Sequence, residues 1–197
     1  LVPIDLGAAE FSQVRPSNDE FMQLPTENWL KNGGDFYNRN YSQLDQINTS
    51  NVGEMIPLWR SHLAGSGVEA RFSGEAQPIV QDGIMYIITG ADDVFALSVE
   101  TGEILWSTLA NLSSEISTVC CGWTSRGVAI GEDKVFVGQL DGILKAIDKE
   151  SGNTVWSIQA EDWQEGYTIT SAPLYFDGLV ITGFAGAEFA ARGRVKA

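Results

Sequence analysis

Two adjacent cysteines and the arginine that follows them are the residues whose types and spacing most directly indicate chemistry. Cys120 and Cys121 are the only cysteines, and Arg126 follows in the segment CCGWTSRG. Neighbouring Cα atoms lie about 3.8 Å apart across a trans peptide, below the separation of about 4.4–6.8 Å that is usual in disulfides. A bridge between them would be strained and would persist only in an oxidising compartment. The alternative is two reduced, buried thiols that pack as small apolar side chains.

Three charged side chains are candidates for binding a ligand or an ion. Arg126 is a cation with a planar set of donors that suits an anionic ligand, or else a surface arginine paired with an acid. Glu75 lies at the head of a predicted strand, a common place for binding residues, or is an exposed loop acid. Glu188 lies in the apolar and small stretch ITGFAGAEF, where an unpaired carboxylate is costly unless it binds a cation. Gly186 and Ala187 in this stretch would let the backbone approach a ligand closely.

A repeat provides the elements that must position these residues. Three residue types recur with one constant spacing, as Ala96, Gly102 and Trp106 and again as Ala146, Gly152 and Trp156. Each copy predicts a strand, a tight turn with glycine, and a second strand that ends in tryptophan. Another hairpin precedes each copy, and four short strands in roughly 40–50 residues is the size of a β-propeller blade.

The tryptophans of the repeat favour radially packed blades over a sandwich or solenoid, and as packing residues they carry no information about chemistry. A third unit begins at Thr170, and residues 195–197 align with residues 144–146, so its last strand is missing from the sequence. We therefore expect fewer than three complete blades. A ring needs at least about four blades, so further sequence or another chain is expected to complete it.

Four segments, in this order, resemble the PQQ-dependent (pyrroloquinoline-quinone) alcohol dehydrogenases, the methanol and ethanol dehydrogenase family. They are residues 28–48 with Asn51, Val52 and Trp59; residues 74–78; residues 120–127; and residues 186–189 with Arg192 and Gly193. The resemblance implies an all-β fold that is part of an eight-bladed propeller. Residues 28–197 would form its N-terminal blades, and residues 1–27 would be a variable extension.

The resemblance also implies a cofactor site. The two cysteines would form a disulfide lying flat against one face of PQQ, and Glu188 would be a ligand of Ca²⁺ or a lanthanide. Thr170 matches a threonine that binds a cofactor carboxylate, although it also fits an ordinary strand-end threonine. Ala185 departs from members that carry a hydroxyl at this position. The full set of implied cofactor-binding residues is Glu75, Cys120, Cys121, Arg126, Thr170, Ala185, Gly186 and Ala187.

The family reaction oxidises an alcohol to an aldehyde or ketone by hydride transfer to PQQ, and the electrons pass to a cytochrome c. In the family, the catalytic aspartate and the remaining metal ligands lie further along the chain. We therefore expect no catalytic residue here and no activity from this chain alone. The alternatives are a non-enzymatic propeller scaffold and a PQQ-dependent sugar or polyol dehydrogenase. Scaffolds lack the adjacent cysteines with Arg126 and the Gly-Ala-Glu segment, and the sugar enzymes often lack the adjacent cysteines.

The charge of the chain narrows the classes of partner. With 26 acidic and 12 basic residues, its formal net charge of −14 disfavours nucleic acid and anionic membranes and suits a basic electron carrier, or simply provides solubility. No apolar run is long enough to span a bilayer. No leader is present at Leu1, so we expect a mature periplasmic chain from which a signal peptide has been removed.

Overall fold

The computed structural model describes residues 15–64, 72–120 and 122–197, so Cys121 lies outside the described residues. β-Strands dominate the described part, together with α1 (Asn18–Met22) and 3₁₀ helices at Val52–Glu54, Trp163–Glu165 and Ala187–Phe189. The strands are β1 (Phe72–Ser73), β2 (Ile79–Gln81), β3 (Ile84–Ile88), β4 (Val94–Ser98), β5 (Ile104–Thr108), β6 (Trp123–Thr124), β7 (Ala129–Gly131), β8 (Lys134–Gly138), β9 (Ile143–Asp148), β10 (Thr154–Gln159), β11 (Leu174–Phe176), β12 (Leu179–Gly183) and β13 (Val195–Lys196). No helix in these ranges has the length and apolar character needed to cross a membrane.

Two four-stranded antiparallel sheets confirm the repeat. Strands β2 to β5 form one sheet in chain order, and β7 to β10 form the second in the same way. The tight turn between β2 and β3 needs positive φ at Asp82 (49°) and Gly83 (77°), a conformation that asparagine, aspartate and glycine adopt most readily. Ala96 lies opposite Trp106 in the first sheet, and the second sheet repeats this register one period later.

Tryptophan docking joins one blade to the next. The indole nitrogen of Trp106, at the end of the first blade, donates a hydrogen bond of 3.0 Å to the carbonyl oxygen of Lys149 in the second. Trp59 makes the equivalent 2.8 Å bond to the carbonyl oxygen of Val99 in the first blade. Each tryptophan ring packs over the glycine of the facing turn, Gly152 or Gly102, where a side chain would collide with the indole. The predicted Trp-docking repeats are therefore confirmed.

The third sheet contains β11, β12 and β13. Val195 lies opposite Gly183 as Leu144 lies opposite Gly138, which confirms the predicted alignment of the third unit with the second. The connection from Gly183 to Val195 is longer than its counterpart and holds the 3₁₀ helix Ala187–Phe189. The sheets pack face to face, with the rings of Phe136 and Tyr175 stacked 5.4 Å apart between the second and third.

The N-terminal segment packs against the first blade. Ser17 and Glu20 form a capping box at the start of α1, and this helix buries Phe21 in the core shared by the first two sheets. Trp29 and Val80 then exchange two backbone hydrogen bonds of 2.8 and 2.9 Å. The segment therefore runs beside β2, and the boundary proposed at residue 28 stays a prediction.

Strands β1 and β6 precede the first and second blades and pair in parallel, with Phe72 opposite Trp123. Gly90 lies beneath this pair, where a Cβ would come within 3.0 Å of the carbonyl oxygen of Trp123. Because the two strands run in the same direction, the residues that follow them emerge at the same edge. Glu75 follows β1, and Arg126 follows β6.

Candidate cofactor site

Glu75 and Arg126 form an ion pair beyond the ends of β1 and β6. The Nη2 of Arg126 lies 3.0 Å from Oε2 of Glu75, and both side chains are about half exposed, at 50% and 45%. Ser73 supports the carboxylate through a hydroxyl hydrogen bond of 3.2 Å to the other oxygen. An ion pair this exposed contributes little to stability, because water competes for both charges. Either charge is therefore available to a ligand at low cost.

The backbone of Arg126 joins three separate parts of the chain. Its amide donates a 3.0 Å hydrogen bond to the carbonyl oxygen of Thr170, and its guanidinium approaches the same oxygen at 3.4 Å. Its own carbonyl oxygen accepts hydrogen bonds from the Gln77 amide at 3.2 Å and from the Asn32 side chain at 2.6 Å. The structure thus brings together three of the predicted site residues, namely Glu75, Arg126 and Thr170. Thr170 participates through its carbonyl group.

The segment with Ala185, Gly186 and Ala187 lies against the strand-like segment that leads to Thr170. Thr168 and Ala185 exchange backbone hydrogen bonds of 3.2 and 2.9 Å. Gly186 has a φ of +129°, and a Cβ there would overlap the backbone of Gly166. Close contact between two protein segments is therefore enough to require glycine at 186. The close approach of a cofactor to this backbone stays a prediction.

An ion-pair network fixes the C-terminal end of the connection between β12 and β13, which carries residues 185–187. Glu161, whose side chain is 9% exposed, accepts from Arg194 at 2.7 Å and pairs with Lys196 at 2.9 Å. The guanidinium of Arg194 also lies 4.6 Å from the ring centre of Tyr167. Hydrogen bonds from Arg194 and Lys196 hold the pKa of the Glu161 carboxyl below its usual range. The loop that carries residues 185–188 is therefore anchored at both ends.

Glu188 lies in the 3₁₀ helix Ala187–Phe189 and is exposed. Because the side chain is exposed, its apolar neighbours in the sequence do not force this carboxylate to bind a cation. The carboxylate has no hydrogen-bond or ion-pair partner among the described residues, which leaves its oxygens available to a metal ion. In the part of the chain that is described, no three acidic, histidine or cysteine side chains cluster as metal ligands. The metal role of Glu188 stays a prediction.

Cys120 is exposed and lies immediately before the segment that leads to β6 and Arg126. Its neighbour Cys121 lies outside the described residues. The predicted disulfide, and its contact with a planar ligand, therefore stay predictions.

Three buried hydroxyl groups near Arg126 and Ala185 were missed from the sequence. Thr124, Ser125 and Thr168 are at most 6% exposed, and their hydroxyl oxygens have no hydrogen-bond partner in the described structure. Buried polar groups are nearly always paired, so these three hydroxyl groups are candidate contacts for a ligand or for ordered water. Hydroxyl donors with one arginine suit a ligand that carries several carboxylates, as PQQ does. The hydroxyl residues directly before Arg126 and two positions before Thr170 were the available signal.

Residues 29–196 match the family described as glucose/ethanol/alcohol dehydrogenase, β-propeller domain, which carries the designation PQQ. The chain is 39% identical over 183 residues to the quinoprotein alcohol dehydrogenase PedH of Pseudomonas putida, covering 92% of this chain and 30% of that protein. It is 41% identical over 172 residues to 1-butanol dehydrogenase (cytochrome c) of Thauera butanivorans, covering 86% and 24% respectively.

Solved structures agree with these sequence matches. A europium-containing methanol dehydrogenase matches with a TM-score of 0.77 at 32% identity, covering 85% of this chain and 29% of that one. The quinohemoprotein alcohol dehydrogenase of Comamonas testosteroni matches with a TM-score of 0.76 at 36% identity, covering 85% and 25%. The chain thus spans less than a third of the length of these relatives. It belongs to the family of PQQ-dependent glucose, ethanol and alcohol dehydrogenases, and its sheets are blades of that family's β-propeller domain.

Proposed function

We propose that the full-length protein oxidises alcohols to aldehydes or ketones with PQQ as cofactor, and that this chain supplies one part of the cofactor site. The observation that carries the proposal is the grouping around Arg126. A half-exposed guanidinium, a facing carboxylate and three unpaired buried hydroxyl groups lie where the first two blades and the start of the third meet. An anionic quinone with several carboxylates matches this set of donors.

Each residue has a proposed role in holding the group. PQQ, when bound, supplies a quinone that accepts a hydride from the alcohol carbon. Arg126 would bind its carboxylate or quinone oxygens, and Glu75 would hydrogen-bond its edge. Cys120 and Cys121 would form a disulfide that lies flat against one face of the cofactor. Thr170 and residues 185–187 would contact other parts of the cofactor. Glu188 would be one oxygen ligand of a Ca²⁺ or lanthanide ion.

We further propose a periplasmic location and a cytochrome c as electron acceptor. A relative from Thauera butanivorans is named for its cytochrome c, which supports this acceptor. The net charge of −14 favours encounter with a basic electron carrier. The europium-containing methanol dehydrogenase supports a lanthanide as the alternative to calcium. Completion of an eight-bladed ring by the remainder of the protein is part of the same proposal.

The test uses the full-length protein. It is prepared without cofactor, reconstituted with PQQ and either Ca²⁺ or La³⁺, and assayed for alcohol-dependent reduction of an artificial dye acceptor. Denaturation and mass spectrometry then count the PQQ bound per chain. We expect about one PQQ per chain, and turnover of primary alcohols with at least one of the two metals.

The alternatives give different results in the same assay. Turnover of sugars or polyols without turnover of simple alcohols would reassign the substrate class and keep the cofactor. A folded protein that binds no PQQ with either metal would contradict the proposal and leave a non-enzymatic propeller.

A further inference from the structure

Asn32 is the one side chain outside the blades that reaches the main chain of Arg126 in the described structure. Its Nδ2 donates a 2.6 Å hydrogen bond to the Arg126 carbonyl oxygen, across 94 residues of sequence. Asn32 is half-buried and lies in the N-terminal segment that runs beside β2. The N-terminal segment therefore hydrogen-bonds directly to the residue at the centre of the candidate site.

The surrounding contacts hold Asn32 firmly against Arg126. Next to it, the amide of Gly33 donates a 2.9 Å hydrogen bond to the side-chain oxygen of Gln77. The backbone amide of Gln77 donates to the same Arg126 carbonyl at 3.2 Å. Gly127 has a φ of +142°, and a Cβ on it would come within 3.1 Å of the Asn32 Nδ2. The carbonyl is therefore held from one side by Asn32 and Gln77.

The opposite side of Arg126 is held by the third unit. Its amide donates to the carbonyl oxygen of Thr170, so hydrogen bonds fix the backbone both before and after its Cα. The side chain is long and half exposed, and among the described residues it is restrained by Glu75 and the Thr170 carbonyl. Because the guanidinium is weakly held at its tip, its position depends on the orientation of the backbone from which it extends.

We propose that Asn32 is a positioning residue for the cofactor, and that it acts by fixing the main chain of Arg126. The inference rests on the proposed function, because it assigns Arg126 to a PQQ contact. In metal sites, groups that orient a ligating residue without touching the metal typically change affinity about 10–100-fold when removed, and we expect an effect of this order for the cofactor. A purely structural Asn32 would instead change stability and leave PQQ affinity unaltered.

The chain offers a matched control in Asn28. This asparagine lies on the same segment and also joins it to the first blade, accepting from the Asp82 amide at 2.9 Å and donating to the Asp82 carboxylate at 3.3 Å. In the described structure it forms no hydrogen bond with Arg126. Asn28→Ala therefore removes a comparable anchor without touching the proposed route to the cofactor.

The experiment measures the PQQ dissociation constant of the full-length apoprotein by titration, followed through quenching of tryptophan fluorescence, with the thermal unfolding midpoint recorded for each variant. We expect Asn32→Ala to weaken PQQ binding about 10-fold and Asn28→Ala to leave it within about twofold. Asn32→Leu, which keeps about the same volume and removes the donor without adding a charge, should match Asn32→Ala. Normal PQQ affinity in both Asn32 variants, or equal losses in Asn28→Ala, would overturn the inference.

A double-mutant cycle tests whether Asn32 acts through Arg126. In an Arg126→Ala background, the effect of Asn32→Ala on PQQ affinity should disappear, because the group that it positions is absent. Fully additive effects would contradict the proposed route. If the wild-type apoprotein takes up no PQQ at all, the proposed function itself fails. If the wild-type protein and the Asn32 variants instead bind PQQ equally well, the proposed function stands and the positioning role of Asn32 fails.

Discussion

The indole nitrogen of Trp106 and the carbonyl oxygen of Lys149 are joined by a 3.0 Å hydrogen bond that crosses from one blade to the next. The same indole lies over Gly152, whose φ is +73°. Trp106 and Gly152 belong to consecutive copies of the repeat, and each is the other's packing partner. The repeat therefore specifies both the structure of each blade and the contact between blades.

Gly152→Ala should destabilise the protein more than Gly83→Ala. Both glycines have positive φ, 73° and 77°, so both substitutions carry a backbone cost of about 1 kcal/mol. At Gly152 the new Cβ would also lie 2.8 Å from the Trp106 ring, whereas nothing lies within 4 Å at Gly83. We expect Gly152→Ala to cost an additional 1–3 kcal/mol, roughly, from overpacking. Chemical denaturation of the full-length protein checks this, and equal losses would show that the ring tolerates displacement.

Arg126→Lys should weaken PQQ binding at least about 10-fold and leave the unfolding midpoint nearly unchanged. Lysine keeps the charge but loses the planar set of donors that binds two oxygens together. The half-exposed ion pair with Glu75 contributes little stability. Arg15→Lys is the control, because Arg15 forms an exposed ion pair with Asp133 away from the site. Equal PQQ affinity in both variants would remove Arg126 from the cofactor contacts.

Asp92→Asn should stabilise the protein increasingly as the pH rises. Asp92 is 1% exposed and accepts a 2.6 Å hydrogen bond from the Leu140 amide. Burial raises the pKa of its carboxyl well above the usual range, and Asp141 and Asp93 add to the rise while Lys145 opposes it.

A carboxyl whose folded pKa is raised contributes stability below its unfolded pKa and loses it as the pH rises through the folded pKa. The gain of Asp92→Asn should therefore be small near pH 4 and exceed about 1 kcal/mol in alkaline solution. Unfolding curves at several pH values, with the exposed Glu150→Gln as control, make the comparison. A gain that shrinks with rising pH would show that the pKa of the Asp92 carboxyl is lowered, not raised, in the folded protein.

Glu161→Gln should have the opposite pH dependence. Arg194 and Lys196 hold the pKa of Glu161 below its usual range, so its stabilising effect is present above the unfolded pKa and is lost as the pH falls. We expect a loss of about 1 kcal/mol at pH 7, because both cationic partners are about half exposed, and a declining loss below about pH 4.5. Urea unfolding at pH 7 and pH 4 measures both values. A loss that is larger at pH 4 would mean that the ion pairs do not stabilise this loop.

The sequence was sufficient to predict the elements that depend on local pattern. The spacing of Trp106 and Gly102 predicted the blade hairpins, and the alignment of residues 195–197 predicted the position of β13. These predictions succeeded because turn glycines and alternating strands leave a periodic signal.

The contacts that assemble the site could not be predicted, because most of them end on backbone atoms. The acceptors of Asn32 and of the Arg126 amide are carbonyl oxygens, which every residue carries. The close approach of Gly186 to Gly166 likewise depends on the path of the β12–β13 connection. The apolar neighbours of Glu188 in the sequence suggested a buried setting, whereas a short 3₁₀ helix leaves this side chain exposed in the described structure.

The hydrogen bonds that surround Arg126 also bear on the order in which the protein folds. Each complete blade is a meander whose strands pair with their neighbours in sequence, whereas the bonds of Arg126 to Asn32 and Thr170 span 94 and 44 residues. Long-range contacts close late, because the loops between them must first lose their entropy. During synthesis, Thr170 emerges from the ribosome only after both complete blades. The hydrogen bonds that assemble the candidate site can therefore close only after the strands of the first two blades have been synthesised.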